Sequence, residues 1–344
     1  MRNVCLCALF LVCFTISSAN AQADSPVAYM NVLEEREVTL SQKYISYMSA
    51  VAHGGRARKM EKRREELVTS VAEALREANK MPPYKGDASL RDAYKEYWTV
   101  LLSVFKEEYH KIVDMEEVAE QSYDAMEAVL MIQEKAGATL NTAYAKVPIA
   151  YQAFANRQNV KLVEGEKTKL TEKLDQAGRV NKYTNQVFLI FFKSYVQETS
   201  MLGGLNAGDI NTVEQSKNSM AKYAVEGLAK LDTMKSFKGD GTMITACRRV
   251  LEFQKSEADK FTTLTGFMIK QEEFVKMKKT FDSKPVNKRT QADVDLFNKS
   301  AKEYNAMAND FNKLNNDLNN ARAKVLDDWN ATQKKFMDVH VPYK

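Results

Sequence analysis

Few residues of this 344-residue chain could perform chemistry, since it contains only three histidines and four cysteines. Glu107 and His110 form an E-x-x-H pair, which is half of the ligand set that helical di-iron proteins use. Neither of the other histidines has a glutamate three residues before it, so a second pair cannot be completed. We therefore expect a surface contact between neighbouring helical turns, with no metal and no cofactor.

A nucleophilic enzyme is not indicated either. The chain has no G-x-S-x-G sequence, no P-loop and no dinucleotide-binding fingerprint. Cys247 lies within a helical apolar pattern, and a catalytic cysteine needs a histidine base, so we interpret it as a small buried residue. No catalytic residue is predicted, and an enzyme with an unrecognised site between helices remains the alternative.

One basic run carries a binding hypothesis. The segment RARKMEKRR packs six bases and one acid into nine residues. It is either the solvated start of a helix or a face that contacts anionic lipid headgroups or polysaccharide. The residues of this anionic-ligand patch are Arg56, Arg58, Lys59, Lys62, Arg63 and Arg64.

The tripeptide Lys-Gly-Asp occurs twice, at 85–87 and 238–240. An adhesion motif is one reading of it. We favour a helix start, in which glycine makes the turn and the Asp, or the Ser or Thr after it, accepts free backbone N–H groups.

The composition predicts an all-α fold. Apolar residues make up 44% and charged residues 28%, and 13 glycines and 6 prolines are too few for an all-β chain. Apolar residues recur every three or four positions, and Trp98 and Trp329 lie in such stripes, so we expect both to be buried. We expect the Asn-rich segment 305–330 to lie on the solvent-exposed face of a long helix. Predicted helices cover 27–52, 56–80, 87 or 89 through Tyr109, 137–156, 165–205, 210–233, 242–280 and 290–338.

The sequence also repeats itself. With an offset of 153 residues, MPPYKGDASLRDA (81–93) matches MKSFKGDGTMITA (234–246) at five of thirteen positions. With an offset of 178, LNTAYAKV (140–147) matches LNNARAKV (318–325) at six of eight. We predict an elongated bundle of two tandem, roughly four-helix units, 24–163 and 164–344. The second is expected to have a longer last helix and part of its extra length in the loop 283–291.

Residues 1–23 have the pattern of a signal peptide. Arg2 precedes a short apolar stretch, and Ala19, Ala21 and Ala23 offer cleavage sites after Ala21 or Ala23. Its removal would take away three of the cysteines and lower the net charge from +5 to +4 (49 bases minus 45 acids). This nearly balanced charge argues against binding to nucleic acid.

Several segments resemble a family of bacterial helical surface proteins that is best represented in Bacteroidota, with relatives in spirochaetes. They are MPPYKGDASLRDAYKEYW, KIVDMEEVAEQSYDAMEA, FKGDGTMITACRR, PVNKRTQADVD and DWNATQKKFMDVHVP. The resemblance implies an exported helical protein without assigned chemistry. We therefore expect a non-enzymatic scaffold or binding protein of the cell envelope, in the periplasm or at the cell surface, without a transmembrane span in the mature chain and with an unknown partner.

Overall fold

A computed structural model describes residues 25–53, 57–108, 122–162 and 169–342. Within these ranges the protein is an all-α bundle without strands, as predicted, and the only β-type pairings are two isolated bridges inside turns. Seven of its helices are longer than 15 residues, with lengths of 27, 24, 22, 39, 24, 42 and 50.

The helices, in chain order, are α1 (Pro26–Ala52), α2 (Ala57–Lys80), α3 (Ser89–Ser103), α4 (Tyr123–Tyr144), α5 (Lys146–Arg157), α6 (Lys169–Ala207), α7 (Ile210–Thr233), α8 (Thr242–Ser283) and α9 (Gln291–His340). A π-helical turn, Val104–Glu108, continues α3, and a 3-10 turn, Val286–Lys288, lies between α8 and α9.

Helices α1, α2, α3 and α5 enclose the core of the first half. The α3 stripe predicted from its spacing is buried, and Trp98 at its centre is 0% exposed. Leu33 of α1, Leu67 of α2 and Phe154 of α5 pack into the same cluster. Because apolar residues recur every three or four positions, each helix buries one continuous face.

The second half packs α6, α7, α8 and the C-terminal part of α9 together. Its two clusters include Val187, Phe261, Cys247 and Trp329, and the last two are buried as predicted. The run 187–192 buries Val187, Phe191 and Phe192 and partly buries the residues between them, which suits a helix enclosed on several sides.

Each half places three aromatic rings beside its Lys-Gly-Asp turn. In the first half Tyr29, Tyr84 and Phe154 lie with ring centroids 5.5 to 6.0 Å apart. In the second half the set Tyr183, Phe237 and Phe336 lies with centroids 5.3 to 5.8 Å apart. The turns themselves also agree, with φ of 88° at Gly86 and 86° at Gly239, a region that glycine occupies at little cost.

The turns confirm the predicted role of the aspartates as helix starters. Asp87 accepts the N–H of Ser89 at 3.0 Å, and Asp240 accepts the N–H of Thr242 at 2.9 Å. The spacing of Ser89 and Asp92 also fits a capping box, but the structure has none there. Ser89 is the first residue of α3, the N-cap residue Ala88 makes no side-chain hydrogen bond, and Asp92 pairs with Arg91.

The predicted fourth helix is corrected. It was predicted from residue 137, but α4 begins at Tyr123, where the Ser122 hydroxyl accepts the N–H of Ala125. It ends at Tyr144, so the predicted helix 137–156 is two helices, and Pro148 lies in the first turn of the second, α5. The segment 283–291 contains a short 3-10 turn between α8 and α9, which run 42 and 50 residues.

Candidate functional site

The predicted basic patch is only partly a surface. Arg58, Lys59 and Lys62 are exposed on the first turns of α2, while Arg63 is half-buried and pairs with Glu66 at 2.7 Å. Arg56 lies outside the described residues. The patch therefore consists of three exposed cations and one paired arginine.

Arg64 does not belong to that patch, which corrects the prediction. Its side chain is 8% exposed, donates from Nη1 to the Phe105 carbonyl at 2.8 Å, and pairs with Glu61 at 2.5 Å. Lys217, 153 residues later, is likewise buried and pairs with Glu214 at 2.6 Å. Burial of both cations next to a glutamate one turn earlier indicates a structural role.

The long helices α8 and α9 form a two-helix arm, defined here as residues 267–311. Since α7 has 24 residues and α8 has 42, α8 exceeds it by 18, which is roughly 27 Å at 1.5 Å per residue. None of residues 269–317 is buried. Among the described residues, the hydrogen bonds, ion pairs and ring contacts of 270–304 all lie within the arm.

An aromatic ladder holds the arm together. Phe267, Phe274 and Phe281 recur every seven residues on α8, and Phe297, Tyr304 and Phe311 do so on α9. The rings alternate across the seam, from Phe267–Phe311 at 4.7 Å through Phe274–Tyr304 at 4.6 Å to Phe281–Phe297 at 4.4 Å. A seven-residue repeat keeps a seam between two helices in register, as in coiled coils.

A cleft of about 300 Å³ opens at the base of the arm, where it meets the turn between α6 and α7. Phe267, Tyr304 and Phe311 line it together with the amide side chains of Gln271 and Asn312. Every residue that lines the cleft is uncharged. Its volume lies at the lower end of the range for ligand-binding clefts, about 300 to 1,000 Å³.

A second group of polar residues lies between α6, α8 and α9, where the Arg322 side chain is 13% exposed. Arg322 donates to Glu198 at 2.7 Å and also pairs with Glu257, while Gln254 links Glu198 at 3.0 Å to Ser194. Glu198 is 2% exposed, and Gln254 and Glu257 are 0% exposed. One guanidinium thus lies between two carboxylates that water does not reach.

A proton on Glu257 balances this cluster. Burial raises the pKa of Glu257 well above its usual range, and the Glu198 carboxylate raises it further, while Arg322 lowers it. The second oxygen of Glu257, Oε2, receives no hydrogen bond in the described part of the chain. Two carboxylates and one guanidinium then carry no net excess of negative charge, which suits a stable interior rather than an open reaction centre.

Among the described residues of the first half, Glu37 is the one buried carboxylate. Glu37 accepts the Trp98 indole N–H at 2.8 Å and the Ser41 hydroxyl at 2.9 Å. Burial raises its pKa to about 7, even though both hydrogen bonds lower it.

The remaining candidates lie in separate local contacts. His53 pairs with Asp338 at 2.7 Å and His340 with Asp240 at 2.8 Å. Cys247 is buried, and burial raises the pKa of its thiol to about 12, which keeps it protonated. In the ranges that the structure describes, no three His, Cys, Asp or Glu side chains could hold a metal together. The side chain of Glu107 and all of His110 lie outside those ranges.

Sequence reasoning missed both the arm and the buried cluster. The arm had a signal, the seven-residue recurrence of aromatic residues on both sides of Pro285. The cluster had none, because Glu198, Glu257 and Arg322 are far apart in sequence and resemble any charged residue of an amphipathic helix.

Comparison with known proteins found no family model, no curated protein and no solved structure that matches the chain. None of the helices in the described ranges combines the length and the apolar character that crossing a membrane requires.

Proposed function

We propose that this protein is a non-enzymatic, exported binding protein of the bacterial cell envelope that presents its arm to an envelope component. The arm is the observation that carries this proposal. Its residues extend beyond the bundle, its own ladder stabilises it, and Val275 and Leu296 on its flanks are 57% and 58% exposed. Such an element adds surface rather than core, which is what a binding role requires.

We propose that the helical bundle from which the arm extends is duplicated, with units 24–163 and 164–344. Three pairs of features support this: the Lys-Gly-Asp turns, the aromatic triads beside them, and the buried cations Arg64 and Lys217. The helices α2 and α7, which precede the two turns, both have 24 residues. The second unit differs mainly by the arm, so the arm is the acquired part.

Export is supported by the signal-peptide pattern of residues 1–23, which lie outside the described residues. Expression of the full chain in a bacterial host is expected to yield a product that begins after Ala21 or Ala23 in the envelope fraction. N-terminal sequencing checks this. An unprocessed chain in the cytosolic fraction would contradict export.

The binding role is tested by shortening the arm. Replacement of residues 275–296 by a short polar turn joins α8 to α9 next to the Phe274–Phe297 contact. We expect the shortened protein to keep its melting temperature within a few degrees and to lose retention on isolated envelopes. Val286→Ser, which keeps the arm at full length, serves as the matched control. Equal retention of the shortened and the full-length proteins would refute the role of the arm.

The exposed cations of α2 support a second candidate function, contact with anionic lipid or polysaccharide. Arg58, Lys59 and Lys62 lie together on the first turns of that helix. If they bind lipid, the fraction of protein that floats with anionic vesicles falls at high salt. It falls further when all three residues are replaced by glutamine. Flotation that responds to neither change would remove this candidate.

A further inference from the structure

The two sides of the arm differ in chemistry. Positions one residue after the α9 seam are all asparagine, at 298, 305, 312 and 319. Positions one residue before the seam include Glu303 and Asp310. Since residues seven apart lie on nearly the same face of a helix, these rows run along opposite flanks of the seam.

Helix α8 continues the same division. Lys270 bridges Glu273 and Glu303, each at 3.5 Å, which places these charges together on one flank. Gln271 lines the cleft with Asn312 and Ala308, which places the amides on the other flank. We name the first flank the charged side and the second, with Gln271, Asn298, Asn305 and Asn312, the neutral side. Lys278, seven residues after Gln271, also lies on the neutral side, where its charge is balanced by Asp282 at 2.7 Å.

The neutral side combines two features that suit a sugar. An amide side chain both donates and accepts hydrogen bonds, as sugar hydroxyl and acetamido groups do. The rings of Phe267, Tyr304 and Phe311 in the cleft offer apolar surface against which the C–H face of a pyranose packs. Because no lining residue is charged, the cleft favours an uncharged ligand over a polyanion.

The spacing of the amides points to a polymer. Seven residues of helix advance about 10.5 Å, which is close to the advance of two sugar units in an extended β-1,4-linked chain. Asn298, Asn305 and Asn312 therefore meet chemically equivalent groups on successive disaccharides. The row ends at Asn319, whose side chain accepts a hydrogen bond from Arg322 at 2.6 Å.

We propose that the neutral side of the arm binds the β-1,4-linked N-acetylhexosamine backbone of the cell-wall glycan. This inference rests on the proposed function, since it names the envelope component that the arm holds. The acetamido groups pair with the amide row, and one sugar unit enters the cleft and packs against its aromatic lining.

The test uses the full-length protein and chitohexaose, an uncharged oligomer with the same backbone, in a calorimetric titration. Saturable binding is expected, stronger for the hexamer than for the dimer. Replacing Gln271, Asn305 and Asn312 by alanine should weaken binding about tenfold or more, because three hydrogen-bonding groups are lost. All three residues are exposed or line the open cleft, so the melting temperature should stay unchanged.

The matched control changes the charged side, with Glu303→Gln and Asp310→Asn. It should bind chitohexaose within about twofold of the unchanged protein, since these residues lie on the other flank. Absence of binding by the unchanged protein, or equal losses in both variants, would overturn the glycan assignment.

A third measurement separates this inference from the proposed function. Purified peptidoglycan sacculi are mixed with the full-length and the arm-shortened proteins. If chitohexaose does not bind but envelope retention still depends on the arm, the glycan assignment fails and the binding role stands. If retention does not depend on the arm, the binding role fails as well.

Discussion

The two halves of the molecule bury charge in different ways within similar helical frames. The first half encloses one carboxylate, Glu37, which two neutral donors, Trp98 and Ser41, satisfy. The second half encloses two carboxylates, Glu198 and Glu257, around one guanidinium. The first arrangement needs only hydrogen bonds, whereas the second depends on a cation that comes from α9, far along the chain.

The offset of 153 residues that aligns the turns also shows which residues of the first half correspond to the polar cluster. It pairs Glu198, Gln254 and Glu257 with Ile45, Leu101 and Val104, of which Ile45 is 6% and Leu101 is 1% exposed. If the two halves are copies, as proposed, apolar and polar side chains occupy equivalent places in them. The first half then indicates that such a helical frame does not require the polar cluster.

The largest expected effect comes from Arg322→Leu. Without the guanidinium, the buried Glu198 carboxylate loses its counter-charge, and we expect a loss of about 3 to 5 kcal/mol in the free energy of unfolding. Urea denaturation followed by circular dichroism measures it. A loss below about 1 kcal/mol would mean that water reaches the cluster.

A matched variant replaces the whole cluster by the residues of the first half. It carries Glu198→Ile, Gln254→Leu, Glu257→Val and Arg322→Tyr, since Tyr144 stands at the offset of 178 from Arg322. Because no buried charge remains, we expect its stability to return close to that of the unchanged protein or above it. A variant as unstable as Arg322→Leu would break the equivalence of the two halves.

A second prediction concerns pH. The pKa of Glu37 rises from its ordinary 4.5 to about 7, so between these values the folded protein keeps a proton that the unfolded chain has lost. Stability therefore falls as pH rises through this interval, by roughly 3 kcal/mol for this group, and levels off above it. Thermal unfolding from pH 4.5 to 8 follows the change.

The amide Glu37→Gln cannot ionise, so it should flatten that slope. Glu257→Gln should flatten the dependence of stability on pH over a range that extends to higher pH, because burial and Glu198 raise the pKa of Glu257 further. Identical pH profiles for the unchanged protein and Glu37→Gln would exclude Glu37 as the source.

A third, smaller effect is expected from Trp98→Phe. The change keeps a six-membered aromatic ring but removes the part of the indole whose N–H binds Glu37, which should cost about 1 to 3 kcal/mol. Adding Glu37→Leu removes the orphaned acceptor and should recover most of the loss. If the double variant is no more stable than Trp98→Phe, the loss arises from packing and not from the hydrogen bond.

The smallest effects are expected at the two Lys-Gly-Asp turns. Asp87→Ala and Asp240→Ala each remove a helix-start acceptor, and each should cost about 0.5 to 2 kcal/mol. Asp87 also pairs with Arg157 at 2.8 Å, and Asp240 with His340 at 2.8 Å. Asp87→Asn and Asp240→Asn keep an acceptor oxygen, so thermal melts of these variants separate capping from ion pairing. Asparagine variants as unstable as the alanine ones would assign the loss to the ion pairs.

The most predictable part of the fold was the position of those helix boundaries that a capping residue or a turn segment marks. Helix α7 runs from Ile210 to Thr233 as predicted, because Asp209 caps its start and two turn segments bound it. The start of α4 was not predicted because no glycine or proline lies just before it. Only the hydroxyl of Ser122 marks the boundary, and serine is common elsewhere in the chain.

The candidate sites were less predictable, because they depend on which helices meet. The basic run gave no sign that Arg64 turns inward, since that follows from its contact with the Phe105 carbonyl, 41 residues away. The two sides of the arm become visible only when α8 and α9 are paired, which aligns Gln271 with Asn312. Periodicity within one helix is readable from a sequence, whereas the partner of a polar side chain is not.

The C-terminal part of α9 has a consequence for the order in which the protein is completed. The first core is closed by Phe154 of α5, whereas the second lacks Trp329, Phe336 and Val341 until the chain has reached those positions. During synthesis, which starts at the N-terminus, the first half can therefore fold early. Until the C-terminal part of α9 has been made, α6, α7 and α8 keep an apolar face exposed. During that interval the second half is the vulnerable one, open to proteases and to association with other unfinished chains.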